Sequence, residues 1–328
     1  MHKMHQDTIP THTILLAEQI YSVAFSPYEW SQNLLCIALL NKITVASIRF
    51  QEANDELSTP YDWTILREFH NDSRCHSICW SPDTSLSVIP KVVLFCIACA
   101  DFQIRIIKSN MVDNDTVTVL SGHSNYINSV SWEPEGDYIA SVSDDHTVKL
   151  WTTKSTTSTD KCVATLNLSS PGMDVCWHPE ENGKLLAAEK NGLIHLYNIH
   201  SQQAILSLDA GSVPLMSAHW APSNGARVAA ITSGELIVWD MEKPSRPIET
   251  RPLHEDGAYF LRFSSISDLV LATVGRPHNT LKVTHTRMKL PQLTSSLMLF
   301  GGLTWHYILP YVCVANDRKL CFWKVSSK

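Results

Sequence analysis

Apolar residues in this chain come in short runs broken by turn-forming residues, and no long stretch repeats them at the helical spacing. Seven runs share one outline, a few small or β-branched residues closing on an aromatic or a proline. They are SVAFSP (22–27), SICWSP (77–82), SVSWEP (129–134), DVCWHP (174–179), SAHWAP (217–222), LRFSS (261–265) and LTWHYILP (303–310). A second set follows in register: KITVASI, QIRIIKS, TVKLW, LIHLYN, ELIVWD, TLKVTH and KLCFWKV. Their β-branched and aromatic content, with turn residues just ahead of several, predicts strands and almost no helix. Inward and outward positions do not alternate cleanly, as expected of sheets covered on both faces. The prolines at 27, 82, 134, 179 and 222 lie 55, 52, 45 and 43 residues apart, a spacing that suits a four-stranded repeat with loop insertions. The first set reads as the innermost strand of seven units and the second as the third strand.

Residues 120–151, LSGHSNYINSVSWEPEGDYIASVSDDHTVKLW, carry the most specific signal. A Gly-His pair, a Trp-x-Pro and then Ser-x-Ser-Asp-Asp-x-Thr-Val-x-Leu-Trp make a full WD-repeat blade. The spacing predicts a structural tetrad in which Asp145 accepts from His123, while Ser141 and the Trp151 indole extend one buried hydrogen-bond chain. Each of these groups is costly if left unpaired. The fold is therefore read as all-β, a seven-bladed WD-repeat β-propeller. Only blade three has the complete tetrad. Blade two keeps Asp101 but has Ile107 at the tryptophan position, and blade four has Asn191 and Tyr197. Blade five keeps Trp239 with Ser233 in place of the acid, and blade seven pairs Asp317 with Trp323 but has no Gly-His. Blades lacking the tetrad are expected to rely on packing.

KLCFWKV leaves the seventh blade without an outer strand, while HTILLAE (12–18) precedes the first inner strand. The reading assigns HTILLAE to blade seven, so that an N-terminal strand closes the ring and removes an exposed edge. Residues 1–11 are then a flexible tail and 12–326 one propeller. Three insertions, QEANDELSTPYD (51–62), DTSLSVIPK (83–91) and the Ser/Thr-rich TTKSTTSTD (152–160), read as solvated loops, the last a candidate for phosphorylation.

A formal charge of −6 with scattered Lys and Arg argues against direct nucleic-acid binding. No apolar run approaches the roughly 20 residues of a membrane span, so no membrane insertion is expected. MHKMHQDTIPTH lacks the apolar core of a signal peptide, and its three histidines suit a solvated terminus better than a metal site. Nine cysteines without such a signal suggest reduced thiols in the cytosol or nucleus. Cys75-x3-Cys79 and Cys96-x2-Cys99 have a zinc-like spacing, but residues three apart on a strand point to opposite faces, so no metal is expected. The Ser, His and Asp of blade three also suit a hydrolase triad. Trp151 completes the structural set instead, and no G-x-S-x-G elbow is present. Neither phosphate-cradling glycine motif occurs. No enzyme activity, cofactor or small-molecule substrate is expected.

Beyond the repeat, SPGMDVCWHPEENGKLLAAEKNG (170–192), QQAILSL (202–208), VPLMSAHW (213–220) and SVSDDHT (141–147) closely resemble the small WD-repeat nucleoporins of the nuclear pore's Y-shaped outer-ring scaffold, of about the 36.8 kDa mass of this chain. The resemblance runs along the whole chain and is densest from 120 to 240. It implies a non-enzymatic scaffold at the nuclear envelope, docked on the large propeller-plus-solenoid nucleoporin of the Y's short arm. It also implies roles in pore assembly and nucleocytoplasmic transport, and mitotic association with kinetochores. The alternative is a WD-repeat adaptor recruiting peptides or substrates to a ubiquitin-ligase or chromatin complex. An adaptor is expected to line one channel mouth with aromatics or a charge cluster, and the sequence shows no such concentration. Loops joining an outer strand to the next inner strand gather on one face of a propeller. Two of them are richer in apolar residues than loops need to be, Pro171-Gly172-Met173 and Val213-Pro214-Leu215-Met216, and they are the candidate partner-binding loops.

Overall fold

Every run of the first set becomes the inner strand of a four-stranded antiparallel sheet in the computed structural model, which describes residues 7–53, 56–113, 115–154 and 161–325. The seven inner strands are Ser22–Phe25, Cys75–Trp80, Ile127–Trp132, Gly172–Trp177, Ser217–Trp220, Ala258–Ser264 and Phe300–Trp305. Runs of the second set form the third strands, such as Thr147–Thr152 in blade three and Lys319–Lys324 in blade seven. The described residues contain no α-helix, only the 3-10 turns Glu29–Ser31 and Gln51–Ala53.

The blurred alternation of the sequence has its cause in the packing. The second strand of blade one, Leu34–Ala38, is buried at all five positions because a blade covers each of its faces. Outer strands such as Asp115–Leu120 are mostly exposed. The apolar cores lie between blades, one for each junction of the ring. Blade three meets blade four through Ala140, Val142 and Leu150 against Val175, Trp177 and Leu185. Blade seven meets blade one through Tyr311, Cys313 and Phe322 against Phe25, Ile37 and Phe50.

The inner strands leave one edge facing the central channel, where unpaired backbone N–H groups are costly. Side chains of the preceding blade cover them. Val130 N–H donates to Ser77 Oγ at 3.3 Å, Trp132 N–H to Cys79 Sγ at 3.0 Å, and Phe263 N–H to His219 Nδ1 at 3.4 Å. At the seam, Phe25 N–H donates to Thr304 Oγ1 at 3.0 Å. Indoles reach the opposite way: Trp80, Trp177 and Trp305 donate to the carbonyls of Ala24, Ser131 and Arg262 at 2.9–3.1 Å.

Blade seven is closed by His12–Leu15, which pairs antiparallel with Lys319–Lys324 in the register His12↔Phe322 to Leu15↔Lys319. The expected tail over 1–11 is corrected at its end. Thr8 N–H donates to the Thr294 carbonyl, Thr11 N–H donates to the Phe322 carbonyl, and the Thr8 carbonyl accepts from the Trp323 indole. Residues 1–6 and 326 lie outside the described residues. The 51–62 insertion is also more than a solvated loop. Glu52 accepts from Tyr311 Oη at 2.7 Å and Lys324 Nζ at 2.6 Å, and Tyr61 already belongs to the outer strand of blade one. In the 83–91 loop Ser85 bridges to Val92, and Ile89 is 89% exposed. Most of the Ser/Thr-rich insertion, 155–160, lies outside the described residues.

Candidate functional site: the blade contacts, the loops and the channel

Blade three places its four expected residues in contact. His123 Nδ1 lies 2.7 Å from Asp145 Oδ2, His123 Nε2 lies 2.8 Å from Ser141 Oγ, and the Trp151 indole donates to the same Oγ at 2.8 Å. With Asp145 as acceptor, Nδ1 carries the proton and Nε2 accepts from Ser141. Burial lowers the His123 pKa while Asp145 pulls it up. For Asp145, burial opposes ionisation, but the hydrogen bonds from Thr147 and His123 outweigh it and hold the carboxyl below its ordinary range. Ser141 is fully buried and bonded on both sides.

The other blades use different chemistry at the same stations. Asp101 of blade two turns to Arg105 at 2.5 Å. In blade four the buried Glu189 takes His195 at 2.9 Å and Ser169 at 2.7 Å, and His195 reaches Ser207 at 2.7 Å. Blade six holds a histidine that the sequence reading passed over. His254 stands as far ahead of its inner strand as His123 does of its own, and bonds Thr273 at 2.9 Å. Burial, with Lys282 adding to it, pushes its pKa down to about 3. Its signal was a histidine at the right station without the glycine before it.

The seven candidate loop residues do not spread into one exposed patch. Leu215 is fully buried in the core between blades four and five. Gly172 opens an inner strand, where an added Cβ would lie 1.9 Å from Val142 Cγ2. Pro171 is half-buried, and its carbonyl accepts from Lys190 N–H. Met173 and Met216 are half-buried and line the channel. Val213, 58% exposed, and the exposed Pro214 stay on the surface. Met173, Leu215 and Met216 are drawn inward because the next inner strand begins there.

The channel encloses about 480 Å³. One level of its wall joins four blades through a buried carboxylate. Asp174 Oδ1 accepts from Ser129 at 2.9 Å, and Oδ2 accepts from Ser217 at 2.7 Å and Arg262 at 2.8 Å. Below it, burial and the nearby Arg262 push His219 down to about 3, so it is neutral. The mouth is aromatic, contrary to the sequence reading. Tyr21, Tyr126, Tyr259, Phe260 and Phe300 line it, and His76 stacks on Tyr126 with centroids 4.2 Å apart. These residues come from five blades and lie just before or at the start of inner strands, so no window of sequence shows more than two of them together.

The four cysteines of the zinc-like spacing fall in cross-strand pairs, Cys75 opposite Cys99 and Cys79 opposite Cys96. Among the described residues no three His, Cys, Asp or Glu side chains converge as a metal site.

The family model for the WD domain, G-beta repeat, matches residues 114–152, the stretch that holds the tetrad. Along nearly the whole chain, nucleoporin Nup37 of Mus musculus is 41% identical over 95% of this chain and 96% of its own length. The chain belongs to the Nup37 family of nucleoporins. Nup37 of Homo sapiens is 39% identical over 95% of this chain and 96% of its own. Nup37 of Drosophila melanogaster is 37% identical over 97% and 98%. The Nup37 likeness thus runs well beyond the one blade that the repeat model matches.

Proposed function

We propose that this protein is a non-enzymatic scaffold subunit of the nuclear pore's Y-shaped outer-ring complex. It docks on the large propeller-plus-solenoid nucleoporin of the short arm. Through that complex it serves pore assembly and nucleocytoplasmic transport at the nuclear envelope, and joins kinetochores in mitosis. The likeness to Nup37 nucleoporins over nearly the full length of both chains carries this reading. A closed ring of seven blades suits it, since rigid faces present loops to partners without reorganisation. Val213 and Pro214 on the rim, beside Met173 and Met216, form the proposed edge of the docking surface.

The second reading is a WD-repeat adaptor for a ubiquitin-ligase or chromatin complex, and the aromatic channel mouth favours it. One experiment separates the two. Affinity purification of the tagged chain from nuclear-envelope extract recovers outer-ring nucleoporins in stoichiometric amounts if it is a scaffold. Recovery of ligase or chromatin components in their place overturns the scaffold reading. Val213→Asp combined with Met173→Asp is expected to lose the nucleoporins at unchanged melting temperature.

A further inference from the structure

The channel mouth keeps apolar surface open to the cavity. Tyr259, Phe260 and Phe300 pack on the core between blades six and seven and Met216 on the core between blades five and six, and each stays half-buried. Tyr259, Phe260 and Phe300 form a half-buried aromatic arc, with Phe300 centred 5.5 Å from Tyr259 and 5.3 Å from Phe260. Tyr21 of blade one continues the wall, and Met173 and Met216 stand in blades four and five. Aromatic faces left half-open around a cavity favour a ligand that covers them, and methionine adapts to its shape. The volume of about 480 Å³ admits one or two side chains rather than a folded surface.

The charges at the mouth select the sign of the ligand. The Arg262 guanidinium lies 4.4 Å from the Phe260 ring centre. Its Nη1 serves Asp174, Ser217 and the Leu261 carbonyl, whereas Nη2 has only a long 3.4 Å contact with Asp174. At the rim the exposed Arg74 lies 5.6 Å from the Tyr21 ring centre and bonds the Tyr126 phenol. The carboxylates nearby are engaged. Asp174, 3% exposed, has both oxygens bonded, and Asp144 accepts from the Asn128 amide at 2.7 Å. His219 is neutral at physiological pH. A ligand therefore meets guanidinium N–H groups and aromatic faces on a chain whose net charge is −6. A cationic ligand, such as a methylated ammonium, finds the Phe260 face already taken by Arg262.

We propose that the channel mouth is a binding site for a short linear peptide that presents a large apolar side chain beside an acidic residue. The apolar side chain enters between Tyr21, Phe260 and Phe300. The carboxylate takes the rim guanidinium of Arg74 in a charge-assisted contact. The site borders the proposed docking edge at Met173 and Met216, but it rests on Tyr21, Phe260, Phe300 and Arg74 and stands whether or not the outer-ring assignment holds.

The test uses the purified full chain and three blocked, fluorescently labelled peptides. One has a central Phe flanked by Glu and Asp. The second has the same Phe flanked by Lys, and the third keeps the acidic flanks with Ser in place of Phe. Fluorescence anisotropy is expected to show the acidic Phe peptide binding at least about tenfold tighter than either other, with affinity falling as salt rises. Arg74→Glu, on an exposed side chain, is expected to weaken it by about tenfold at unchanged melting temperature. Phe300→Ser is expected to weaken it while erasing the preference for Phe. Equal binding of the three peptides, preference for the Lys peptide or absence of measurable binding overturns the proposal. So does full affinity in Arg74→Glu, which decides alone if Phe300→Ser fails to fold.

Discussion

Blades three and seven are both four-stranded and both carry a tryptophan on the third strand, but they are held together differently. In blade three the Trp151 indole bonds Ser141 of its own blade, and every member of its hydrogen-bond chain lies between residues 123 and 151. In blade seven the Trp323 indole bonds the carbonyl of Thr8, at the other end of the chain. The first blade is a local unit whose parts arrive together in sequence. The second exists only when the termini meet, so its order is a property of the whole ring. A blade can thus be completed by a buried side-chain network or by a remote strand, and the difference governs how each fails.

The largest expected effect comes from removing the remote strand. Deleting residues 1–18 takes away His12–Leu15 and bares the edge of Lys319–Lys324, so the protein is expected to lose most of its soluble yield by gel filtration. A truncated chain that remains monomeric with an unchanged circular dichroism spectrum would show that blade seven does not depend on its N-terminal strand.

Acid should act on blade seven and on its neighbours, blades five and six. Burial pushes His219 and His254 down to about 3 and His306 of blade seven down to about 4. A folded pKa below the unfolded value of about 6.5 means that the unfolded chain binds the proton first. Stability is then full above about pH 6.5 and falls as pH drops toward these folded values, by roughly 2 kcal/mol for each such histidine at pH 5. Melting temperature is expected to fall steeply between pH 7 and 5. A flat profile, or NMR titration of these imidazoles above pH 6, would contradict it.

Breaking the local network comes next. Asp145→Ala leaves the His123 N–H without its acceptor in a buried site, at a cost of about 1–3 kcal/mol by chemical denaturation. Trp323→Phe removes one donor to a backbone carbonyl near the sheet edge and is expected to cost about 1 kcal/mol. A reversed order would place the greater dependence in blade seven's indole.

The smallest effect belongs to the clasp between blades one and seven. Burial opposes ionisation of Glu52, but the hydrogen bonds from Lys324 and Tyr311 outweigh it and hold its pKa down to about 2. That contribution is present above about pH 4.5 and is lost as pH falls toward 2. Because the pair is about one-third to one-half exposed, Glu52→Gln is expected to cost under about 1 kcal/mol, and less at high salt.

Much of this architecture is legible in the chain because strand patterns and the tetrad are local. The runs from SVAFSP to LTWHYILP all became inner strands, and HTILLAE became the strand that closes blade seven. The loops were less legible. Leu215 and Gly172 read as members of partner-binding loops because they sit among turn residues, but the start of an inner strand pulls them into the wall. His254 escaped notice because its partner Thr273 has no sequence signature of its own.

The sequence by itself determined the seven repeats, their strand order and the tetrad of blade three, because each depends on neighbours a few to a few tens of residues apart. Only the tertiary structure decided what faces the channel. Asp174 meets Arg262 of a blade two places around the ring, and Tyr21, Tyr126 and Phe300 share one mouth although they lie far apart in the chain. Ring closure places the same station of every blade around one axis, and that periodicity in space is invisible to any single stretch of residues.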